Sequence, residues 1–419
     1  MKFKKIILSE WRQFKNIDID FHSRVTIITG ANGAGKSTII QILSGHYGWK
    51  LTYLNTPPEN NSGKYIYSST RKNNSNLIEL GNIFYSDLSV AGLNMPSKNM
   101  NYEFNLDITN KKNIFGVFIS SHRPVTFYHK VESIPTAPIY PDEAFNNYFQ
   151  ENIKRFSVSK TISPFKFSPN YKMKEALISM AAFGSGNVYV EKNEILENTF
   201  TKFNDILKKV LPPSLGFKNL KVIMPDLIIE STTGNFLLDA ASGGIMSIID
   251  LAWQIFLYSH DKDEFVVTID EPENHLHPSM QRSLLNDFIE AFPNAQFIVV
   301  THSPFIVSSI KDSHVYALKY ENFQDSNNPD QIVKKVISQK LDLNKKAATA
   351  NEILREVLGV PVTLPQWAEQ DLQRICSSFS STDITPDGLT RLHIELEQAG
   401  LGEFYPEALN KVVESNFHD

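Results

Sequence analysis

Gly30-Ala31-Asn32-Gly33-Ala34-Gly35-Lys36-Ser37 has the spacing GxxxxGKS, and its flanks are the ones such a loop requires. An apolar, β-branched run, Val25-Thr26-Ile27-Ile28-Thr29, precedes it, and a segment of helical character follows through Leu43. Strand, glycine loop and helix in that order make a cradle for phosphate. Glycine lets the backbone curl until several N–H groups point at one anion, and the helix N-terminus adds its dipole. Lys36 brings a point charge to the β- and γ-phosphate oxygens, and the Ser37 hydroxyl is a ligand for Mg²⁺. The candidate nucleotide-binding residues are therefore Gly30, Asn32, Gly33, Ala34, Gly35, Lys36, Ser37 and Thr38, with ATP and Mg²⁺ as the expected ligand and ion.

The 419 residues around this loop leave room for roughly two or three folding units. Hydrophobic residues make up 42% and charged residues 21%, the balance of an ordinary soluble globular chain. No apolar run reaches the length of a membrane span, and Met1-Lys2-Phe3-Lys4-Lys5 leads into a short amphipathic strand instead of a secretory signal. The single cysteine, Cys376, excludes an internal disulfide framework and a cysteine-rich zinc site. The expected compartment is the reducing cytoplasm, with Cys376 an inert helix thiol. A net charge of −5 argues against a chain coated with nucleic acid but leaves room for a local basic face.

Hydrophobic pattern and turn residues divide the chain into four stretches. Residues 1–136 read as the first part of a P-loop head, with three strands in 2–30, an exposed excursion at 55–75 and an antiparallel sheet across 78–119. Residues 137–215 read as a helical insertion, with Ile195, Phe200, Phe203, Ile206, Leu207 and Val210 on one helical face and Pro212-Pro213 ending it. Strand–helix alternation returns across 216–320, with buried strands at 265–269 and 297–301. A polar break then leads into a helical tail over 330–419. No long heptad array occurs, which excludes a long coiled-coil arm.

Four further motifs carry chemistry. The strand ending in Ile269-Asp270-Glu271-Pro272 places Asp270 to hold Mg²⁺ through water, and Glu271 to accept a proton from the water that attacks the γ-phosphate. The second buried strand ends at Thr301-His302-Ser303-Pro304, where His302 can donate a hydrogen bond to that phosphate. Ser242-Gly243-Gly244 stands at the start of an apolar helix and offers a hydroxyl and free N–H groups as a clamp. Arg12 lies between the first two strands, where a surface hairpin charge is the alternative reading.

In this combination and order the motifs resemble the ABC-type ATPase heads of the SMC, RecF and OLD-like superfamily. The resemblance covers nearly all of residues 1–320. It implies an α/β head with a mixed sheet, an antiparallel β lobe, a short helical insertion and a helical C-terminal tail. It also implies that two heads sandwich two ATP molecules, each held between one chain's Lys36 loop and the other chain's Ser242-Gly243-Gly244. Arg12 matches the family's nucleotide-contacting arginine, and Glu273-Asn274-His275-Leu276-His277-Pro278 matches its D-loop. Ala241 and Ile245 depart from the usual signature residues. His122 or Arg123 stands in the region of the family's Q-loop glutamine.

The plan is most similar to the ATPase subunits of two-component antiphage systems of the Septu and PARIS types. That likeness implies a separate nuclease subunit and a homo-oligomer of nucleotide-sandwiched heads, with no nuclease centre in this chain. Two other functions stay open on the residues: a RecF-like repair ATPase acting directly on DNA, and an ATP-sensing scaffold with negligible turnover. Between 154 and 174 six basic residues (Lys154, Arg155, Lys160, Lys166, Lys172, Lys174) alternate with aromatic ones, a pattern for DNA or RNA contact or for a solvated linker. In the tail, Trp367, Phe404 and Tyr405 are large aromatics suited either to subunit docking or to packing within the chain.

Overall fold

The computed structural model describes residues 1–49, 52–54, 77–96, 103–123, 127–156, 168–324, 332–341, 350–356, 365–379 and 385–415. They divide between two compact units, Met1–Ala350 and Asn351–Asp419.

The first unit begins with the three expected strands, β1 (Phe3–Leu8), β2 (Phe14–Asp20) and β3 (Val25–Gly30). The first two alternate: Ile6, Leu8, Ile17 and Ile19 are buried, while Lys5 and Asp18 pair at 2.8 Å on the outer face. Every residue of β3 is buried, as befits a strand covered on both sides. Helix α1 (Lys36–Ser44) follows the glycine loop. Then come β4 (Thr52–Leu54), β5 (Leu77–Tyr85), β6 (Val90–Pro96), β7 (Glu103–Asn105), β8 (Asp107–Thr109) and β9 (Gly116–Ile119). The insertion supplies α2 (Pro141–Phe156), α3 (Pro169–Gly184) and α4 (Glu194–Val210). A small antiparallel sheet of β10 (Phe217–Ile223), β11 (Asp226–Ser231) and β12 (Phe236–Leu237) precedes α5 (Gly243–Ser259). The unit continues through β13 (Phe265–Asp270), α6 (Pro278–Ala291), β14 (Ala295–Val300), α7 (Pro304–Val307), β15 (His314–Gln324) and β16 (Ile332–Leu341).

One sheet of eleven strands, in the order β8-β6-β5-β1-β2-β16-β15-β3-β14-β13-β9, organises this unit. The run β15-β3-β14-β13-β9 is parallel throughout, so the loops leaving β3, β14, β13 and β9 emerge side by side along one edge. That is where an open parallel sheet presents its ligand site. Helix α5 is buried at every residue from Ile245 to Leu257, and Phe203 of α4 packs on its Trp253 and Phe256 at ring separations of 4.9 and 5.4 Å.

Three expectations need correction. The stretch 78–119 is not wholly antiparallel, because β9 pairs with β13 in parallel through Ile119↔Ile269. Its four residues are all buried and apolar enough to be covered on both faces, unlike β5 and β6. Residues 332–341 are not tail: β16 forms a ten-pair antiparallel hairpin with β15 and closes the sheet against β2. On α4 the expected Phe203, Leu207 and Val210 are buried, but Leu196, Thr199 and Asn204 complete that face in place of Ile195, Phe200 and Ile206, and Ile195 is 55% exposed.

The second unit contains most of α8 (Ala350–Glu356), then α9 (Gln366–Ser377), α10 (Pro386–Gln398) and α11 (Tyr405–Ser415). Its core joins Leu372, Leu392, Leu396, Ala408 and Val412, with Phe404 and Tyr405 packed against it. Cys376 is buried in this core, its thiol pushed up by burial. Trp367 is 63% exposed.

Candidate functional site

The glycine loop takes the conformation that its composition permits. Gly30, Gly33 and Gly35 have φ of 143°, 77° and 91°. A Cβ on Gly30 would meet the carbonyl of Leu318, and one on Gly35 would meet the Phe14 ring, so the loop is wedged between β15 and the β1–β2 turn. Lys36, 5% exposed, donates to the carbonyls of Gly30 and Ala31, each at 3.0 Å. Burial pushes its pKa down to about 8, opposed by Glu271, Asp270 and Glu273. The ammonium still carries most of its charge at neutral pH.

Asp270 ends β13 and hydrogen-bonds with Ser37, so the two expected Mg²⁺ ligands meet across the gap between β3 and β13. Burial raises its pKa to about 6. Its Oδ1 is buried and has no hydrogen-bond partner among the described residues, which leaves one hard oxygen unmatched. This donor set fits Mg²⁺, which takes one or two protein oxygens and completes its shell with water and phosphate.

Glu271, next in sequence, adopts φ 48°, a backbone state costly for a non-glycine residue. Its amide donates to Val300 O at 2.8 Å, and its carboxylate accepts from Asn274 Nδ2 at 3.1 Å and lies 3.7 Å from His302 Nε2. Burial, with Lys36 nearby, lowers the His302 pKa, so the imidazole is neutral at neutral pH and can donate one hydrogen bond. The structure thus brings Lys36, Ser37, Asp270, Glu271 and His302 together.

Ser242 caps α5 by accepting from Ile245 N at 3.4 Å, with Gly243 opening the helix. A Cβ on Gly244 would come 2.9 Å from the carbonyl of His275, so the signature rests on its own chain's D-loop. Among the described residues no hydrogen bond joins 242–244 to the phosphate loop. His277 caps α6, accepting from Ser279 N at 3.3 Å. Arg12 has φ 53°, donates to Leu54 O at 2.8 Å and lies 5.2 Å from the ring centres of both Trp11 and Tyr53.

Among the described residues of the basic stretch, Lys174 is withdrawn from the surface while Lys154 stays exposed. Lys174 is 1% exposed and paired with Asp226 and Asp239, because α3 is buried on nearly all sides. Lys154 pairs with Glu151 and Lys172 with Glu175, both at 2.7 Å. Lys160 and Lys166 lie outside the described residues. His122 is exposed, whereas Arg123 is drawn inward.

Glu273 was not singled out by the sequence, and it positions the histidine. Its Oε1 accepts from Thr301 Oγ1 at 2.7 Å, His302 N at 2.8 Å and Ser303 N at 3.1 Å. Asn274 does the same for Glu271, bridging it to Ser121 O at 3.0 Å. The only signal available for either residue was its place in the D-loop phrase.

A family model described as the AAA ATPase domain matches residues 118–307, and one described as the P-loop containing region of AAA domain matches residues 3–49. The Retron Ec83 probable ATPase of Escherichia coli is 27% identical over 216 residues, covering 48% of this chain and 39% of that protein. The Septu protein PtuA of Bacillus mycoides (strain KBAB4) is 21% identical over 378 residues, covering 87% of this chain and 46% of that protein. The chain spans less than half the length of these curated relatives. The SMC head domain from Thermotoga maritima superposes at a TM-score of 0.41 with 13% identity, over 82% of this chain and 100% of that chain. Among the described residues no helix is long and apolar enough to cross a membrane.

Proposed function

We propose that this chain, an SMC/RecF/OLD-like ATPase that resembles the ATPases of antiphage defence, hydrolyses ATP at a site completed by a second copy and thereby controls a separate nuclease or toxin effector. One observation carries the reading: Lys36, Ser37, Asp270, Glu271 and His302 converge at the ends of the adjacent strands β3, β14 and β13.

Each residue then has a defined task. Lys36 and the loop N–H groups hold the β- and γ-phosphates, and Ser37 and Asp270 would hold Mg²⁺. When bound, that ion neutralises charge on the phosphate oxygens. Glu271, fixed by Asn274, accepts the proton of the attacking water, and His302, fixed by Glu273, donates to the γ-phosphate. Ser242, Gly243 and Gly244 of the second copy close over the same phosphate with a hydroxyl and amides. The likeness to Septu and retron ATPases supports a defence role, and the separate core of the second unit supports a docking role for the tail.

Complementation tests the shared site. Chains carrying Lys36→Ala and chains carrying Ser242→Arg should each be inactive alone, whereas a mixed dimer regains one competent site and up to half the wild-type turnover. Complete absence of rescue in a confirmed mixed dimer would contradict the shared site.

A further inference from the structure

Lys174 is buried in the helical insertion, yet one of its two partners lies next to the signature. It belongs to α3, and its side chain is 1% exposed. Nζ donates to Asp226 Oδ1 at 3.2 Å and to Asp239 Oδ2 at 2.5 Å, and the Tyr128 ring centre lies 5.3 Å away. The Tyr128 hydroxyl donates to the other oxygen of Asp226 at 3.3 Å. Among the described residues no other cation pairs with either carboxylate. Removing the one cation from such a cluster leaves buried negative charge uncompensated.

The places of the two carboxylates decide what the cluster can do. Asp226 opens β11, and Asp239 belongs to the short helical turn Leu238–Ala240. That turn follows β12, which pairs with β11, and leads through Ala241 into Ser242. Ala241 N donates to Leu238 O at 3.1 Å, so little slack separates Asp239 from the signature. Ser242 and Gly243 are exposed, as a clamp that closes on a second copy must be. Beyond them the D-loop gives support: Ser247 donates to Asn274 O at 3.3 Å, and Gly244 lies against the His275 carbonyl. Lys174 supplies the hold on the approach side. Without it, two carboxylates gathered around one point would repel each other. Asp226 is fixed in a sheet, so the turn before Ser242 would yield.

We infer that Lys174 is a positioning residue for the signature. By holding Asp239 it sets Ser242, Gly243 and Gly244 for the nucleotide on the second copy, while the Lys36 site of its own chain does not depend on it. The inference rests on the shared-site reading above.

A mixed dimer with one competent site tests it. One chain carries Ser242→Arg and contributes only its Lys36 loop, and the other carries Lys36→Ala and contributes only its signature. Lys174→Met, which keeps most of the unbranched side chain and removes the charge, is added to one chain at a time, and steady-state phosphate release is measured. On the signature-giving chain it should lower turnover about tenfold or more. On the loop-giving chain it should change turnover by less than about twofold. Should Lys174→Met fail to fold, Asp239→Asn, which leaves Lys174 its pair with Asp226, is judged by the same contrast. Equal losses from both placements would assign Lys174 a purely structural role, and no loss from either would remove it from the account. Both results overturn the inference and leave the shared site standing. Absence of turnover in the mixed dimer before Lys174 is touched would overturn both.

Discussion

Lys36 illustrates how much of the site a single residue can carry. Its ammonium is nearly inaccessible, held by two loop carbonyls and facing three carboxylates. Lys36→Ala removes the one cation on the loop itself, and nucleotide titration should then show no measurable ATP binding, with the melting temperature near that of wild type. Retained affinity would remove the loop from the binding account. At this scale the convergence of Lys36, Ser37, Asp270, Glu271 and His302 was legible, since phosphate chemistry fixes both residue type and spacing. Glu273 was not legible as a positioning group, because its partners Thr301, His302 and Ser303 come from the next strand and only the parallel pairing of β13 with β14 brings them within reach. Lys174 misled in the opposite direction: a lysine in a basic stretch looks solvent-facing until Asp226 and Asp239 are seen to converge on it.

Elements add couplings that pairwise motifs miss. Tyr148 of α2 donates to Asp250 of α5, and Gln254 donates to the same carboxylate at 3.0 Å. The insertion is thereby fastened to the signature helix. Burial raises the Asp250 pKa from 3.8 to about 6. Below about pH 4 the group is protonated whether the chain is folded or not. As pH rises toward 6 the unfolded chain gives up the proton while the folded chain keeps it, so this group lowers stability with rising pH. Asp250→Asn carries no such proton. Relative to wild type, the variant should gain stability between pH 4 and 6, by at most about 3 kcal/mol. Denaturant melts across that range check it, and parallel pH profiles would show that Asp250 does not titrate there. Elements with a clear pattern were legible: β1 and β2 alternate, and β3, β13 and β14 are uninterrupted β-branched runs. Short β9 was not, since four apolar residues do not reveal whether their partner runs parallel or antiparallel. Nor was β16, whose mixed polar and apolar face depends on pairing with β15.

On the scale of the whole molecule, every motif residue lies in the unit Met1–Ala350, while the unit Asn351–Asp419 has its own small core. Deleting residues 351–419 should leave ATP affinity within about twofold of wild type and disrupt assembly with itself or with a nuclease partner. Light scattering after size exclusion, alone and with a co-encoded nuclease, reads this out, and unchanged mass with intact partner binding would show the tail to be dispensable. The tail's helices were legible from apolar spacing. That Phe404 and Tyr405 pack on the tail's own core while Trp367 stays exposed was not, because aromatic residues serve cores and interfaces equally. The central claim, that the meeting of β3, β14 and β13 is an ATP-hydrolysing centre with Glu271 as its base, is tested most directly by steady-state phosphate release from Glu271→Gln beside wild type, with ATP affinity measured on the same samples. The account predicts unchanged affinity, turnover lower by about a hundredfold or more, and a nucleotide-bound dimer that persists. Wild-type turnover in that variant would contradict it.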